Sequence, residues 1–116
     1  MIKISITKNT ETIKSVVVKG HAGYGDSGED IVCAGISILT ITILNGLSEI
    51  IGIPLEECIV DEGYTAFTVP ELTDHDKKLQ VYTLLETYEL GIRATENAYG
   101  DYVKVIENNT GGELND

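Results

Sequence analysis

The feature that most limits how this chain can fold is an apolar run over residues 36–44, interrupted only by Ser37, Thr40 and Thr42. A segment that is apolar nearly all round is typical of a helix buried in a protein core. It is too short and too polar to span a bilayer. Gly52 and Pro54 predict where the helix stops, because glycine adopts the left-handed cap and proline cannot continue a helix. The rest of the chain must supply the elements that bury this helix.

Segments rich in β-branched residues flank this helix and predict five strands. Residues 2–7 and 12–19 form one hairpin, residues 56–61 and 64–69 a second, and residues 101–107 the last strand. A second helix is predicted from about residue 74 to residue 98. The order β-β-α-β-β-α-β predicts an α+β fold with two helices packed on an antiparallel or mixed sheet. Residues 1–107 make a single domain in this prediction, and residues 108–116 a flexible tail.

The charge balance limits the partners of the chain. Its 116 residues carry 8 Lys and Arg against 19 Asp and Glu, a formal net charge of −11. Nothing resembles a basic patch, so we predict neither nucleic acid nor a membrane surface as a partner. An acidic surface can attract a basic protein, although acidity also keeps a small protein soluble. The two cysteines make no disulfide framework and the N-terminus lacks a signal-peptide core, which predicts a cytoplasmic location.

The stretch from Gly20 to Cys33 holds one of the two histidines and one of the two cysteines. His21 follows a predicted strand, and Asp30 is predicted to cap the long helix, with Cys33 in its first turn. The free backbone N–H groups of a helix start favour an anion, and a nearby imidazole adds to this effect, although the charge of Asp30 opposes it. The thiolate is the nucleophilic form of cysteine. The pattern therefore indicates an activated thiol, with oxyanion donors expected from the N–H groups of residues 32–34.

A structural interpretation competes with this one. A lone cysteine on an apolar helix is more often a packing residue, and a lone histidine at a strand end is more often a solvated polar group. Here the strand-end histidine, the glycine-rich loop and the helix-start cysteine each supply a different part of one mechanism, which favours catalysis.

Two other motifs overlap the same loop. Residues 25–28 spell GDSG, the nucleophile tetrapeptide of chymotrypsin-like proteases, but those enzymes need about twice this length and a histidine far upstream of Ser27. Residues 23–28 also spell GxGxxG, which alone is weak evidence for a dinucleotide site. The acidic side chains in and beside it would face the pyrophosphate, so we reject phosphate binding.

No metal or other cofactor is predicted. His21, Cys33 and Cys58 offer three possible ligands, but CxxC or paired-histidine spacing is absent from the sequence. Cys58 lies in a predicted strand and is interpreted as a small buried hydrophobe. His75 is interpreted as a solvated residue in the first turn of the second helix.

The residues around the pair resemble one known family. Gly20-His21-Ala22, Gly28 and Asp30-Ile31-Val32-Cys33-Ala34 are similar to the Prp-type ribosomal-processing cysteine proteases, and the chain length and order of elements also agree. Gly25 and Gly35 depart modestly from the family pattern, which has alanine more often at both places.

The resemblance implies a cytoplasmic endopeptidase that removes the N-terminal extension of a large-subunit ribosomal protein and acts as a homodimer. It implies that Cys33 is the nucleophile and His21 the general base and acid. Supporting or substrate-binding roles fall to the residues around this pair, namely Gly20, Gly23, Gly25, Gly28, Asp30 and Ser37. The alternative is a peptide-binding ribosome-assembly factor without catalysis.

Overall fold

The computed structural model describes residues 1–10, 12–20 and 27–110, with residues 27–30 described by their backbone alone. Five strands and two helices follow one another in the predicted order. Their bounds are β1 (Ile2–Asn9), β2 (Thr12–Lys19), α1 (Ser27–Asn45), β3 (Glu56–Asp61), β4 (Tyr64–Thr68), α2 (His75–Ala98) and β5 (Val103–Asn109), with a π-helical segment, Gly46–Ile51, continuing α1.

The strands form one mixed sheet in the order β3-β4-β2-β1-β5. The β1–β2 and β3–β4 hairpins are antiparallel, as is the β2–β4 pair that joins them, whereas β5 runs parallel to β1. The alternation of Ile2, Ile4 and Ile6 buries one face of β1, which is the period of a half-buried strand. The predicted α+β class is confirmed, and the sheet is the mixed variant.

Both helices contribute to one core with the sheet. Val32 and Ile36 of α1 and Leu85 and Ile92 of α2 are buried with the isoleucines of β1. Between the helices, Thr40 donates to the Ile36 carbonyl and shares a 2.9 Å hydrogen bond with the Tyr88 hydroxyl. Burial raises the pKa of Tyr88 to about 12, against the opposing effect of the Thr40 hydrogen bond. This polar pair is satisfied internally, as buried polar groups require.

The prediction that α1 is a buried core helix is correct for one side of the helix only. Ile31 is 70% exposed and Ile38 is 68% exposed, because the sheet and α2 cover only part of the helix surface. The prediction that this segment is too short for a bilayer is wrong, since Ile31–Ile51 is a 21-residue helical stretch of hydropathy 2.0. Within the fold, its buried residues belong to the core shared with β1. The predicted helix end is confirmed, with Gly52 in the left-handed conformation after the π-helical segment.

The boundary predicted for the tail is too early. Strand β5 continues through Asn108 and Asn109, and Thr110 donates its N–H to the Lys8 carbonyl at 2.9 Å. The predicted tail residues 111–116 lie outside the described residues. At α2 the prediction is accurate: Asp74 is the N-cap and accepts a hydrogen bond from the Asp76 N–H, and His75 is exposed in the first turn.

Candidate active site

Gly20 ends β2 and directly precedes His21. Its N–H donates to the Gly63 carbonyl at 3.0 Å, which joins the end of β2 to the β3–β4 turn. Its φ is +104°, and a Cβ at this position would lie 2.5 Å from the Met1 carbonyl oxygen. Only glycine fits both constraints without a backbone shift. The glycine at position 20 is therefore explained by its surroundings, because it lets the chain leave β2 between the backbone of Met1 and that of Gly63. His21 itself, with Gly23 and Gly25, lies outside the described residues.

Cys33 lies in the second turn of α1, as its seventh residue, and not in the first turn. The prediction that Asp30 is the N-cap is wrong, because the helix already begins at Ser27. The spacing of Ser27 and Asp30 matches the pattern of a serine followed three residues later by an acidic residue, a sequence signal for a helix start. That signal would have placed the start three residues earlier. It also places Gly28 inside the helix, where a loop residue had been predicted.

The new helix start changes which backbone donors are free. The first four N–H groups of a helix, counted from its N-cap, have no partner within it, so among the described residues the free donors belong to residues 27–29. The N–H groups of residues 32–34, predicted as oxyanion donors, lie in the regular i→i−4 ladder. Helical side chains lean towards the N-terminus of their helix, so the Cys33 side chain leans towards the preceding turn and its free donors. The anion-favouring effect of the helix start is therefore one turn away from Cys33.

The side chain of Cys33 is half-buried and packs against the core. Ser37, one turn further along α1, is exposed. Asp30 and Gly28 are placed by their backbone only. At the same end of the sheet, the Lys19 ammonium lies 5.9 Å from the centroid of the Tyr64 ring, within the range of a cation–π contact. Cys33 thus lies on α1, the next described element along the chain after β2 and Gly20.

Cys58 is exposed on β3, so the prediction of a buried hydrophobe is wrong. All six residues of β3 are exposed because this strand lies at the margin of the sheet. The β-branched pattern predicted the strand but held no information on its place in the sheet order. Within the described part of the chain, His, Cys, Asp and Glu side chains form no cluster of three or more suited to a metal ion.

A cavity of about 440 Å³ lies at the other end of β2, where that strand begins. Ile13, Val69 and Val81 line it together with Lys14 and Lys78. The cavity is far from Gly20 because Thr12, which lines it, is the first residue of β2, whereas Gly20 follows Lys19, the last residue of the strand. This cavity therefore lies at the end of β2 opposite to Gly20.

Comparison with known proteins decides the family. The family model for the cysteine protease Prp matches residues 1–104. The chain belongs to the Prp cysteine protease family. A relative in Bacillus subtilis, the ribosomal processing cysteine protease Prp, is 29% identical over 110 residues, covering 93% of this chain and 98% of its own.

Solved structures agree with the Prp assignment. The SMU.848 protein of Streptococcus mutans has a TM-score of 0.78 at 28% identity, covering 95% of this chain and 96% of its own. The Staphylococcus aureus Prp protease, solved in complex with a substrate peptide, has a TM-score of 0.78 at 22% identity, covering 92% and 99%. The fold predicted from the sequence is therefore that of Prp proteases, and the chain is a cysteine protease.

Proposed function

We propose that this cysteine protease removes the N-terminal extension of a large-subunit ribosomal protein in the cytoplasm, with Cys33 as nucleophile and His21 as general base and acid. The observation that supports the proposal is the position of Cys33 on α1, the helix that follows β2 and Gly20 along the chain. The Bacillus subtilis relative is named for ribosomal processing, and the Staphylococcus aureus relative binds a substrate peptide. The net charge of −11 suits a basic protein substrate.

The reaction proceeds in two balanced steps. The Cys33 Sγ thiolate attacks the scissile carbonyl carbon, and the C–N bond breaks as His21 delivers a proton to the leaving amine. Water then attacks the resulting thioester while His21 accepts its proton, and the C–S bond breaks, which releases the carboxyl product and restores the Cys33 thiolate with His21 protonated. The oxyanion in each step needs donors, and the free N–H groups of residues 27–29 are those that the Cys33 side chain leans towards.

The supporting residues have separate roles in this proposal. Gly20 sets the exit of the chain from β2, and Asp30 orients His21. Gly23 and Gly25 let the connection open for an extended substrate and close over it. The backbone of Gly28 contributes to the donor set at the helix start, and Ser37 supports Cys33 from the next turn of α1.

We also propose that the protease is a homodimer whose copies meet through the outer surface of the two helices. Four exposed residues on the middle of this surface are uncharged, Ile31 and Ile38 on α1 and Thr87 and Leu90 on α2, whereas the exposed charges of Asp76 and Lys78 lie at the start of α2. Two copies of net charge −11 repel each other elsewhere, so an uncharged surface is the one that a second copy can approach. Helix α1 is about 28 Å long and α2 about 36 Å long, and with axes about 9 Å apart they present about 600 Å², somewhat below the ~800 Å² per partner of stable interfaces.

Sedimentation analysis tests the dimer. The wild type should have twice the mass of one chain, and Ile38→Glu with Leu90→Glu should have the mass of one chain. Ile106→Glu, on an exposed residue of β5, serves as the control and should remain a dimer. A monomeric wild type would contradict this part of the proposal.

The protease assignment is tested with the ribosomal precursor itself. Purified wild type should release the N-terminal extension, seen by mass spectrometry, and His21→Ala should lose turnover by orders of magnitude because the proton carrier is gone. If the wild type binds the precursor and never cuts it, the peptide-binding assembly factor replaces the protease.

Alkylation by iodoacetamide tests whether the Cys33 thiol is activated. Cys58 is exposed and Cys33 is half-buried, so access alone favours Cys58. Faster labelling of Cys33 than of Cys58 below pH 7 therefore requires a larger thiolate fraction at Cys33. Equal labelling, or faster labelling of Cys58, would contradict the activated thiol.

A further inference from the structure

The outer edge of β3 is one of the two margins of the sheet. At the other margin, the Val105 N–H of β5 donates to the Glu96 carboxylate of α2 at 2.7 Å, so a helix side chain satisfies that edge. Among the described residues no strand pairs with the outer side of β3, and all six of its residues are exposed. An edge strand presents unpaired N–H and C=O groups, which are a template for another strand. A helix side chain therefore satisfies a backbone donor at the β5 margin, whereas the outer edge of β3 is available for another strand.

The β3 edge ends beside the end of β2 that precedes His21, the proposed catalytic histidine. Asp61 pairs with Tyr64 across the β3–β4 turn, and Gly63 in that turn accepts the hydrogen bond from Gly20. His21 is the next residue. A strand added outside β3 would lie three strand spacings from β2, a distance of about 14 Å. About four or five extended residues cover this distance, so one peptide can lie along β3 and continue towards Cys33.

The charge of this edge selects its partner. Residues 56–63 contain Glu56, Glu57, Asp61 and Glu62 and no basic residue. Charged side chains on an edge strand deter pairing between copies, and here two copies would bring acidic edges together. An extended segment with lysine or arginine meets the opposite condition, because its charges are complementary to those of the edge.

The backbone of β3 also limits where such a strand pairs. The register shifts between Glu56 and Ile59, and Glu57 has a φ of +48°. A bulge of this kind bends the strand and interrupts pairing. Residues 59–61 pair regularly with β4 beyond the irregularity, on the side of the turn. The part of the β3 edge suited to a new strand is therefore the part nearest the β3–β4 turn and Gly20.

We infer that the outer edge of β3, over residues 58–61, receives a basic, extended segment of the peptide substrate as an added strand, with Asp61 and Glu62 selecting its positive charge. Main-chain hydrogen bonds would supply affinity, and the acidic side chains specificity, as in other cases of strand addition. This inference rests on the proposed function, because it names the docking site of that peptide substrate.

A matched pair of variants tests the charge selection. Asp61→Lys with Glu62→Lys changes the edge, and Glu49→Lys with Asp101→Lys makes the same change of net charge at exposed residues elsewhere. Both are made in Cys33→Ala, so that binding is measured without turnover. The probe is a fluorescent peptide that carries the N-terminal extension of the ribosomal precursor and the residues after it. A second probe has its lysines and arginines replaced by glutamine.

The edge variant should bind the basic peptide about three- to tenfold more weakly, as expected for two exposed charge pairs, and the control variant should change the affinity less than twofold. The glutamine peptide should bind Cys33→Ala and the edge variant equally. Equal weakening in both variants would show an effect of net charge alone and overturn the inference, as would no weakening in either.

Cys58 provides a direct probe of the backbone, since it is the only cysteine left in Cys33→Ala. Saturating peptide should slow alkylation of Cys58 at least fivefold and slow amide exchange at residues 58–61. Unchanged rates at these residues while the peptide is bound would exclude the edge as the docking site. Failure of the proposed function gives a different result: the wild-type enzyme then leaves the precursor uncut, whether or not the peptide binds at β3.

Discussion

The two margins of the sheet are built differently, and the difference separates stability from recognition. On the β5 side, Glu96 satisfies the Val105 N–H, and Lys8 and Arg93 bridge the carboxylates of Glu89 and Glu107 at 2.8–3.6 Å. These contacts connect α2, β1 and β5, and the hydrogen bond with Glu89 raises the pKa of Lys8. On the β3 side, six exposed residues end at the turn beside Gly20. Substitutions on the first side should change the free energy of unfolding, and substitutions at the Gly20 end should change turnover.

The largest expected effect separates the two cysteines. Cys33→Ala should lower kcat/KM on the ribosomal precursor by about three orders of magnitude or more, because no other group can form the thioester. Cys58→Ala should stay within about twofold. Thermal unfolding of both variants should remain close to that of the wild type. Loss of turnover in Cys58→Ala alone would reverse the roles and contradict the comparison.

Alkaline pH should lower the free energy of unfolding through Tyr88, which lies between the two helices. Its pKa is raised from 10.0 to about 12 in the folded protein, so above pH 10 the unfolded chain loses the proton first. Stability is therefore intact below pH 10 and falls as the pH rises towards 12, by about 3 kcal/mol at 1.4 kcal/mol per unit. Urea unfolding from pH 9 to 12 measures this.

Tyr88→Phe is the control for the alkaline loss. It removes the titrating hydroxyl, so its free energy of unfolding should fall less steeply between pH 10 and pH 12. What remains includes the part due to Lys8, whose raised pKa also makes stability decline above pH 10.5, the ordinary pKa of a lysine. An equally steep decline in Tyr88→Phe would mean that another group dominates.

A smaller effect is expected at the β5 margin of the sheet, where Glu96 accepts the hydrogen bond of Val105. Glu96→Ala removes the acceptor of the Val105 N–H and should lower the free energy of unfolding by about 2 kcal/mol, the cost of leaving a partly buried donor unpaired. Glu96→Gln keeps an acceptor and should lose less. Neither should change kcat/KM more than about twofold under conditions where the protein is folded. A strong loss of turnover with unchanged stability would show that the β5 side also serves catalysis.

The element order and the α+β class were predictable from the sequence because local patterns carry them. The alternating isoleucines of β1 specify a half-buried strand, and Asp74 with the periodic residues after it specifies α2. The strand end at Gly20 and the cysteine on the next helix were predictable for the same reason, since both follow from neighbours along the chain.

The predictions that failed depend on what packs where. The exposure of Ile31, Ile38 and Cys58 follows from the position of α1 and β3 at the outside of the fold, which no local pattern specifies. The start of α1 differs from the prediction for another reason: Ser27 and Asp30 are both suitable cap residues, and proximity to the apolar run favours Asp30. The parallel pairing of β5 with β1 and the Glu96 contact are long-range features and needed the structure.

The smallest expected effect concerns Ser27. Its GDSG context has the letters of a serine nucleophile, yet Ser27 is the first residue of α1, six positions before Cys33. At a helix start a serine stabilises the free N–H groups, so Ser27→Ala should lower the free energy of unfolding by at most about 1 kcal/mol. Because the thioester forms on Cys33, kcat/KM should stay within about threefold of wild type. Ser27→Thr, which keeps a hydroxyl, should restore most of the stability. If Ser27→Ala is folded and inactive while Cys33→Ala retains turnover, the nucleophile has been assigned to the wrong residue, and the helix start acts in catalysis directly.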